Sequence, residues 1–385
     1  MKTRLFIIVI SLIAVFACEK PVSDVSCVTD FQMYIEDSEL NDVALMLTEI
    51  GLDTELCNEV HSSVTAAIEK GLDEDLYFRE LWMNSADVKV KSYDSESILK
   101  SRLESYFMRN PSTKNSEGNF LKDSDIEIYW PYSENWDGKT FPVIAPVPLG
   151  QECDTLYGYK VISIPDETIK LDTVLVDDDY AYENPVWIIN HSEIPYEELD
   201  MFAKAITINQ HSLSKSASNY RYKWRITQMR VKKQYDKLSN GASEFDIVVR
   251  FPEGPNTLNW YNKVRLIFTR KEIRDAKNHG TMRTLSETEG MLNDNWDETQ
   301  VSNLFVLIEA DAGGNATTEE GGTISYIDPT TGQTYTQMAT YTKEAEDIVM
   351  LQRVFNREYV FDLDDDFQHS VDSNNIVWYS PIFEY

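Results

Sequence analysis

The chain has 385 residues, 42% hydrophobic and 12% aromatic, a globular composition that excludes a largely disordered protein. Its 35 basic residues face 65 acidic ones, and a net charge of −30 excludes nucleic acid as the partner, because phosphate binding runs on Lys and Arg. At roughly 100–200 residues per domain, the length makes two or three domains, each able to bury a core.

The chain opens on a targeting segment. Lys2 and Arg4 precede an apolar run over residues 5–16, broken only by Ser11. As a helix that run is about 18 Å long, too short for the ~30 Å core of a bilayer, so it reads as a signal peptide rather than a spanning helix. It ends Val15-Phe16-Ala17-Cys18, and this junction resembles the lipobox of bacterial lipoproteins. The resemblance implies cleavage between Ala17 and Cys18 and acylation of Cys18 with palmitate-type chains. Two or three chains make a stable membrane anchor where one is marginal. Phe16 departs from the pattern, which favours a small or β-branched residue there. Glu19 follows the cysteine instead of the Asp that signals inner-membrane retention, so the expected address is the cell envelope, at the outer membrane. A secretory signal that ends on a cysteine by accident is the alternative.

A tether over 18–35 leads into a helical lobe over 36–110. Leu40, Val43, Leu47 and Ile50 share one helical face, with Gly51 as the stop; Leu56, Val60, Val64 and Ala67 repeat the pattern after Asp53. Residues 73–83 open Asp-Glu-Asp, which suits the positive end of a helix dipole, and a last helix is expected over 95–109. The stretch 111–119 is a linker by composition. A β-rich domain follows over 111–208. Ile126, Ile128 and Trp130 alternate with polar neighbours, and further strands are expected at 140–145, 158–164, 169–176 and 185–190.

After a second linker at 209–219, residues 209–385 form the third region. Tyr222, Trp224 and Ile226 alternate with Arg221, Lys223 and Arg225. Strands are expected at 245–251, 263–269, 303–309, 334–342, 347–353, 357–363 and 375–380, with a polar, glycine-rich loop at 311–322. This spacing predicts an antiparallel β-sandwich. The fold class is therefore α+β: a helical N-terminal lobe, a β-rich middle domain and a C-terminal sandwich. The stretch DIEIYWPYSENWDG, residues 125–138, resembles a segment of uncharacterised surface lipoproteins of Gram-negative anaerobes. The C-terminal strand layout, with its acidic loops, is similar to a C2-like sandwich.

The charge is uneven. Residues 151–200 hold thirteen acids and two bases, 201–300 eleven acids and seventeen bases, and 301–385 fifteen acids and three bases. Separate domains with ordinary surfaces account for this; the sharper reading is that the basic middle segment docks on an acidic neighbour or takes an acidic ligand. Of the cysteines beyond Cys18, Cys27 and Cys57 make one candidate disulfide, with Cys153 left over; free thiols are the alternative.

Motifs for catalysis are absent: no HExxH, GxSxG, GxGxxG or phosphate loop, and five histidines without metal-ligand spacing. The candidate metal site is calcium at Asp362 and Asp364, the Asp-x-Asp spacing with which C2-like loops bind that cation. Asp236 with Glu244, or Asp311, is the candidate facing loop. A solvated acidic turn is the competing reading, and the same holds for Asp177, Asp178 and Asp179. Trp130, Tyr132 and Trp136 either fill the core or present a platform for sugar rings. The functional expectation is a lipid-anchored envelope protein that acts as a non-enzymatic binding module for a protein or glycan ligand. A hydrolase of polysaccharide or peptide, and a structural subunit of an envelope assembly, are the alternatives.

Overall fold

The computed structural model describes residues 39–83, 87–90, 97–110, 119–148, 152–164, 167–192, 196, 199, 222–252, 260–311, 316–361 and 368–384. The leader with Ala17 and Cys18, the second cysteine Cys27, both linkers at their centres, and Asp362 and Asp364 lie outside the described residues. Among the described residues no helix is long and apolar enough to cross a membrane.

The first two helices, α1 (Glu39–Glu49) and α2 (Thr54–Glu69), form where the apolar spacing places them. Asp53 caps α2, its carboxylate accepting from the Leu56 amide at 2.9 Å. Helix α3 (Ile98–Arg109) is capped by Ser97. From α2, Glu59 accepts the Ser97 hydroxyl at 2.5 Å and the Ile98 amide at 2.8 Å, a carboxylate set against the positive end of the α3 dipole.

Residues 73–83 depart from the expected helix. They form strand β1 (Asp75–Tyr77) and then a 3-10 turn, Phe78–Trp82. The backbone here pairs antiparallel with β2 (Ile126–Tyr129), Leu76 opposite Ile128, and the Trp130 amide donates to the Glu74 carbonyl at 3.0 Å. Sheet pairing takes up the polar groups that a helix would have bonded within itself, while the tight turn still delivers Phe78 and Leu81 to the core.

After α4 (Asn119–Asp123) and β2 come β3 (Val143–Pro146), β4 (Leu156–Ile164), β5 (Glu167–Val176), α5 (Asp178–Glu183) and β6 (Val186–His191). The six-stranded sheet has the order β1-β2-β6-β3-β4-β5. Only β3 and β6 run parallel. The helices and the sheet share one core: Leu47, Val60 and Leu103 pack with Ile128, Ile144 and Trp187. Trp130 and Tyr132 are buried in or against this core and Trp136 packs on its edge; the three rings form no flat exposed platform but together line a hollow of about 140 Å³.

The second unit is antiparallel throughout. It comprises β7 (Tyr222–Arg225), β8 (Gln228–Val231), β9 (Ser243–Phe251), β10 (Trp260–Phe268), α6 (Arg270–His279), β11 (Arg283–Thr284), β12 (Met291–Asn293), β13 (Ser302–Glu309), β14 (Thr317–Ile327), β15 (Thr334–Glu344), β16 (Ile348–Asn356), α7 (Arg357–Phe361), β17 (Gln368–Val371), β18 (Ile376–Tyr379) and β19 (Ile382–Glu384). A sheet β10-β9-β13-β16 packs against two smaller ones, β11-β8-β18-β17 and β12-β7-β19. Phe245, Phe305 and Phe355 meet Trp224, Met229 and Trp378 between them; Trp378 stacks on Phe305 with ring centres 5.6 Å apart. The α+β class and the C-terminal sandwich expected from the sequence are therefore present.

Two local expectations fail here. Residues 317–322 are strand, not loop, because the β14–β15 hairpin covers the outer face of the large sheet, where Ile324, Ala339 and Tyr341 bury Val248, Leu304 and Val306. The glycines in that stretch serve close approach: a Cβ on Gly321 would lie 2.1 Å from the Ala339 carbonyl oxygen. Residues 357–361 form helix α7 rather than a strand. The Asn356 side chain accepts from the Glu358 amide at 2.9 Å, and the turn carries Val360 and Phe361 inward to the core, Phe361 edge-on to Tyr222.

Cys57 is a buried free thiol, so the Cys27–Cys57 bridge is not formed; Cys153 is disulfide-bonded.

Candidate functional site

The two units meet along a polar seam, and both candidate sites lie on it or beside it. The 3-10 turn Leu238–Asn240 reaches from the second unit into the first. Leu238 enters the first core, the Cys153 amide donates to the Ser239 hydroxyl at 2.7 Å, and the Asn190 side chain donates to the Ser239 carbonyl at 3.2 Å. The preceding residues, Lys232 to Lys237, therefore run along the junction.

Helix α6 forms the wall of a cleft on one side of this segment. It begins with a capping box between Thr269 and Glu272 and ends at Gly280 in the left-handed region, φ +73°. Arg270, Arg274 and Lys277 fall on one face by helical spacing. Opposite stands α5, capped by Asp177, whose side chain accepts from the Tyr180 amide at 2.8 Å. Asp178 accepts from Arg270 at 3.0 Å, from Arg274 at 3.3 Å and from the Tyr132 hydroxyl at 2.9 Å; Asp179 accepts from Arg274 at 2.7 Å. The acidic run 177–179 is thus a helix start with Asp177 and Asp179 exposed, and its Asp178 and Asp179 pair with the arginines of the basic segment. The cleft between these elements has a volume of about 420 Å³. Five cationic side chains line it, Lys232, Lys233, Arg270, Arg274 and Lys277, against the two carboxylates Asp178 and Asp179.

Farther along the same segment, at Asp236, three carboxyl groups converge. Asp236, Glu309 at the end of β13, and Asp311 just beyond it each place a carboxyl oxygen within 4.8 Å of the others. Asp236 is 7% exposed and Glu309 1%. Asp236 Oδ2 and Glu309 Oε1 have no hydrogen-bond partner. Burial first, and then repulsion from neighbouring acids of the cluster, pushes Asp236 up to about 9 and Glu309 up to about 7; burial, with Glu152, Glu346 and Asp347 nearby, raises Asp311 as well. Of the facing ligands expected from the sequence, Asp236 and Asp311 are brought together. Glu244 turns instead to Arg265 at 3.0 Å. Glu309 was not singled out in the sequence; its signal is a lone acid closing the apolar run LFVLI.

A third acidic group lies deeper in the seam. Asp73 accepts from the Ala242 amide at 2.7 Å, and Glu74 accepts from the Ser133 amide at 3.1 Å. Burial raises Asp73, Glu74, Asp75 and Glu127. The hollow beside Asp73, Asp75 and Glu127 measures about 20 Å³. That is room for about one water, not for a substrate, and burial shifts these carboxyls toward their neutral forms. His61 packs against Trp130 and Trp136, and His369 stacks on Trp378, both as core-edge rings.

Comparison with protein families, with curated proteins and with solved structures finds no match for this chain.

Proposed function

We propose that this is a lipid-anchored envelope protein, cut after Ala17 and held at the outer membrane through acylated Cys18, whose cleft between α5 and α6 binds an anionic group of a glycan or protein ligand. The observation that carries the reading is the charge of the cleft. Five cationic side chains against two carboxylates line it, on a chain whose net charge is −30. Arg270 and Arg274 are held in place by Asp178 and Asp179, and Lys233 lies 3.9 Å from Asp372, while Lys232 and Lys277 supply positive charge in excess of that pairing. Positive side chains in a concave, partly desolvated setting focus an attractive field on a carboxylate or sulfate.

At Asp73, Asp75 and Glu127 binding is favoured over hydrolysis, because the hollow they line is about 20 Å³, too little for a substrate. The test has two arms. Cys18→Ala removes palmitate labelling and releases the protein from membranes; continued labelling sinks the anchor. Against arrays of acidic glycans and acidic peptides, binding by the wild type is expected to weaken with salt and to fall at least tenfold in Lys232→Glu/Lys277→Glu. Equal binding by the double variant removes the cleft as the site.

A further inference from the structure

We propose that Asp236, Glu309 and Asp311 form a calcium site that fastens the 232–238 segment to the end of β13. This goes beyond the cleft and does not depend on it.

Three observations point the same way. The first is spacing. Two oxygens bound to one calcium at about 2.4 Å lie no more than about 4.8 Å apart, and one oxygen from each of the three carboxyls meets that limit against both others. The second is an unmet hydrogen-bonding need. Glu309 is 99% buried and Asp236 93% buried, yet Glu309 Oε1 and Asp236 Oδ2 have no donor. Buried carboxylate oxygens are ordinarily paired or bound to a metal.

The third is the placement of the nearby cations. Arg270 donates to the Asp236 main-chain carbonyl and to Asp178, not to the Asp236 carboxyl. Lys233 lies 3.9 Å from Asp372. Arg265 is engaged by Glu244 and Asp246. The repulsion that raises Asp236 and Glu309 is what a bound dication would relieve.

The donor set chooses the cation. Carboxylate oxygen alone, without His or Cys, suits a hard ion. Calcium accepts six to eight oxygens in irregular arrangement, including bidentate carboxylates, whereas magnesium demands a near-ideal octahedron. Asp311 is only partly buried, so the site opens to solvent on its side, and water completes the shell there. The cation would tie the last residue of a fully buried strand to the segment whose Lys232, Lys233 and Gln234 line the cleft.

The experiment uses the full-length protein in detergent, stripped with EDTA. Calcium-45 equilibrium dialysis and the melting temperature are read with calcium, with magnesium and with EDTA. Expected are saturable calcium binding, a higher melting temperature in calcium, and a weaker response to magnesium. Asp311→Asn, partly exposed and without a structural partner to lose at its side chain, should lower calcium affinity at least tenfold while leaving the EDTA melting temperature near that of the wild type. Asp236→Asn/Glu309→Gln should abolish the calcium shift. An identical wild-type melting temperature in calcium and EDTA with no retained calcium-45 overturns the site. Full calcium affinity in Asp311→Asn also overturns it, and assigns the binding to other acids of the chain.

Discussion

Arg270 of α6, 4% exposed, bridges the two units: one guanidinium nitrogen donates to Asp178 of α5 at 3.0 Å, and another donates to the carbonyl oxygens of Asp236, at 3.2 Å, and Lys237. One side chain thus joins the acidic helix of the first unit, the cleft wall and the backbone of the segment that carries Asp236. Replacing Arg270 by Met leaves the buried Asp236 carbonyl, the part-buried Lys237 carbonyl and Asp178 without this donor. Breaking a buried charged pair from one side costs about 3–5 kcal/mol, and the expected loss is toward the lower figure because Asp178 is 46% exposed. Asp178→Asn keeps a hydrogen-bond acceptor and is expected to cost about 1 kcal/mol. Urea unfolding of both variants checks the order; equal losses would show that Arg270 acts mainly through Asp178.

Cys57 is expected to be inert in the native protein. Burial in the helical core, and then the nearby Asp53, pushes its thiol up to about 12. The thiolate is the reactive form, so at pH 8 almost none is present, and the sulfur is closed off as well. Iodoacetamide should leave Cys57 unmodified without denaturant and alkylate it in 6 M guanidinium, as read by peptide mass spectrometry. Modification under native conditions would mean that α2 opens readily.

His369 gives the second unit a defined acid sensitivity. Burial, with Arg353 adding to it, lowers its ring to about 4, from an ordinary value of 6.5. A histidine whose folded value is depressed contributes stability above its unfolded value that is lost as pH falls toward the folded one. The window is therefore about pH 6.5 down to 4, and the loss is at most about 3 kcal/mol at 1.36 kcal/mol per unit. His369→Phe keeps an aromatic ring on Trp378 and cannot titrate. Its urea midpoint should change less than that of the wild type between pH 7 and pH 4.5. Parallel curves would place the acid sensitivity elsewhere.

Gly321 tests why a glycine-rich stretch is a strand. A Cβ there would meet the Ala339 carbonyl oxygen at 2.1 Å and the Thr340 Cα at 3.1 Å, both backbone. Gly321→Ala must push β14 away from β15 and is expected to cost about 1–3 kcal/mol, the range for overpacking. Faster amide exchange confined to residues 317–344 would locate the damage in the hairpin; unchanged exchange would show that the hairpin yields without cost.

How far the sequence carries is visible in particular residues. Leu40, Val43 and Leu47, or Leu56, Val60 and Val64, are legible because helical spacing is a local property and each set needs only one apolar surface to pack on. The strand over Ser302–Glu309 is legible for the complementary reason: buried on both faces, it reads as an unbroken apolar run. The leader reads from its own composition, and the anchor it implies rests on Cys18 and its neighbours alone. Local spacing misleads where a partner strand decides the outcome. Asp73, Glu74 and Asp75 look like a helix start, yet β2 claims this backbone and the seam encloses the acids.

The candidate sites belong wholly to the tertiary structure. The unequal charge of residues 151–200 and 201–300 hints that the two attract, but nothing in it says that Asp178 meets Arg270, ninety-two positions away. Asp236 and Asp311 can each be suspected, as alternatives, of facing the Asp362–Asp364 turn; Glu309 cannot, because within its own strand it looks like the polar end of an apolar run. A carboxyl group acquires a functional reading only when its surroundings are known: whether water is excluded, which donors are spent elsewhere, and which other charges lie within a few ångströms. Sequence determines the local periodicities and the total charge. Long-range pairing across the seam decides which of those charges are screened by water and which must find a partner, because dielectric surroundings are a property of the folded chain and not of any residue in it.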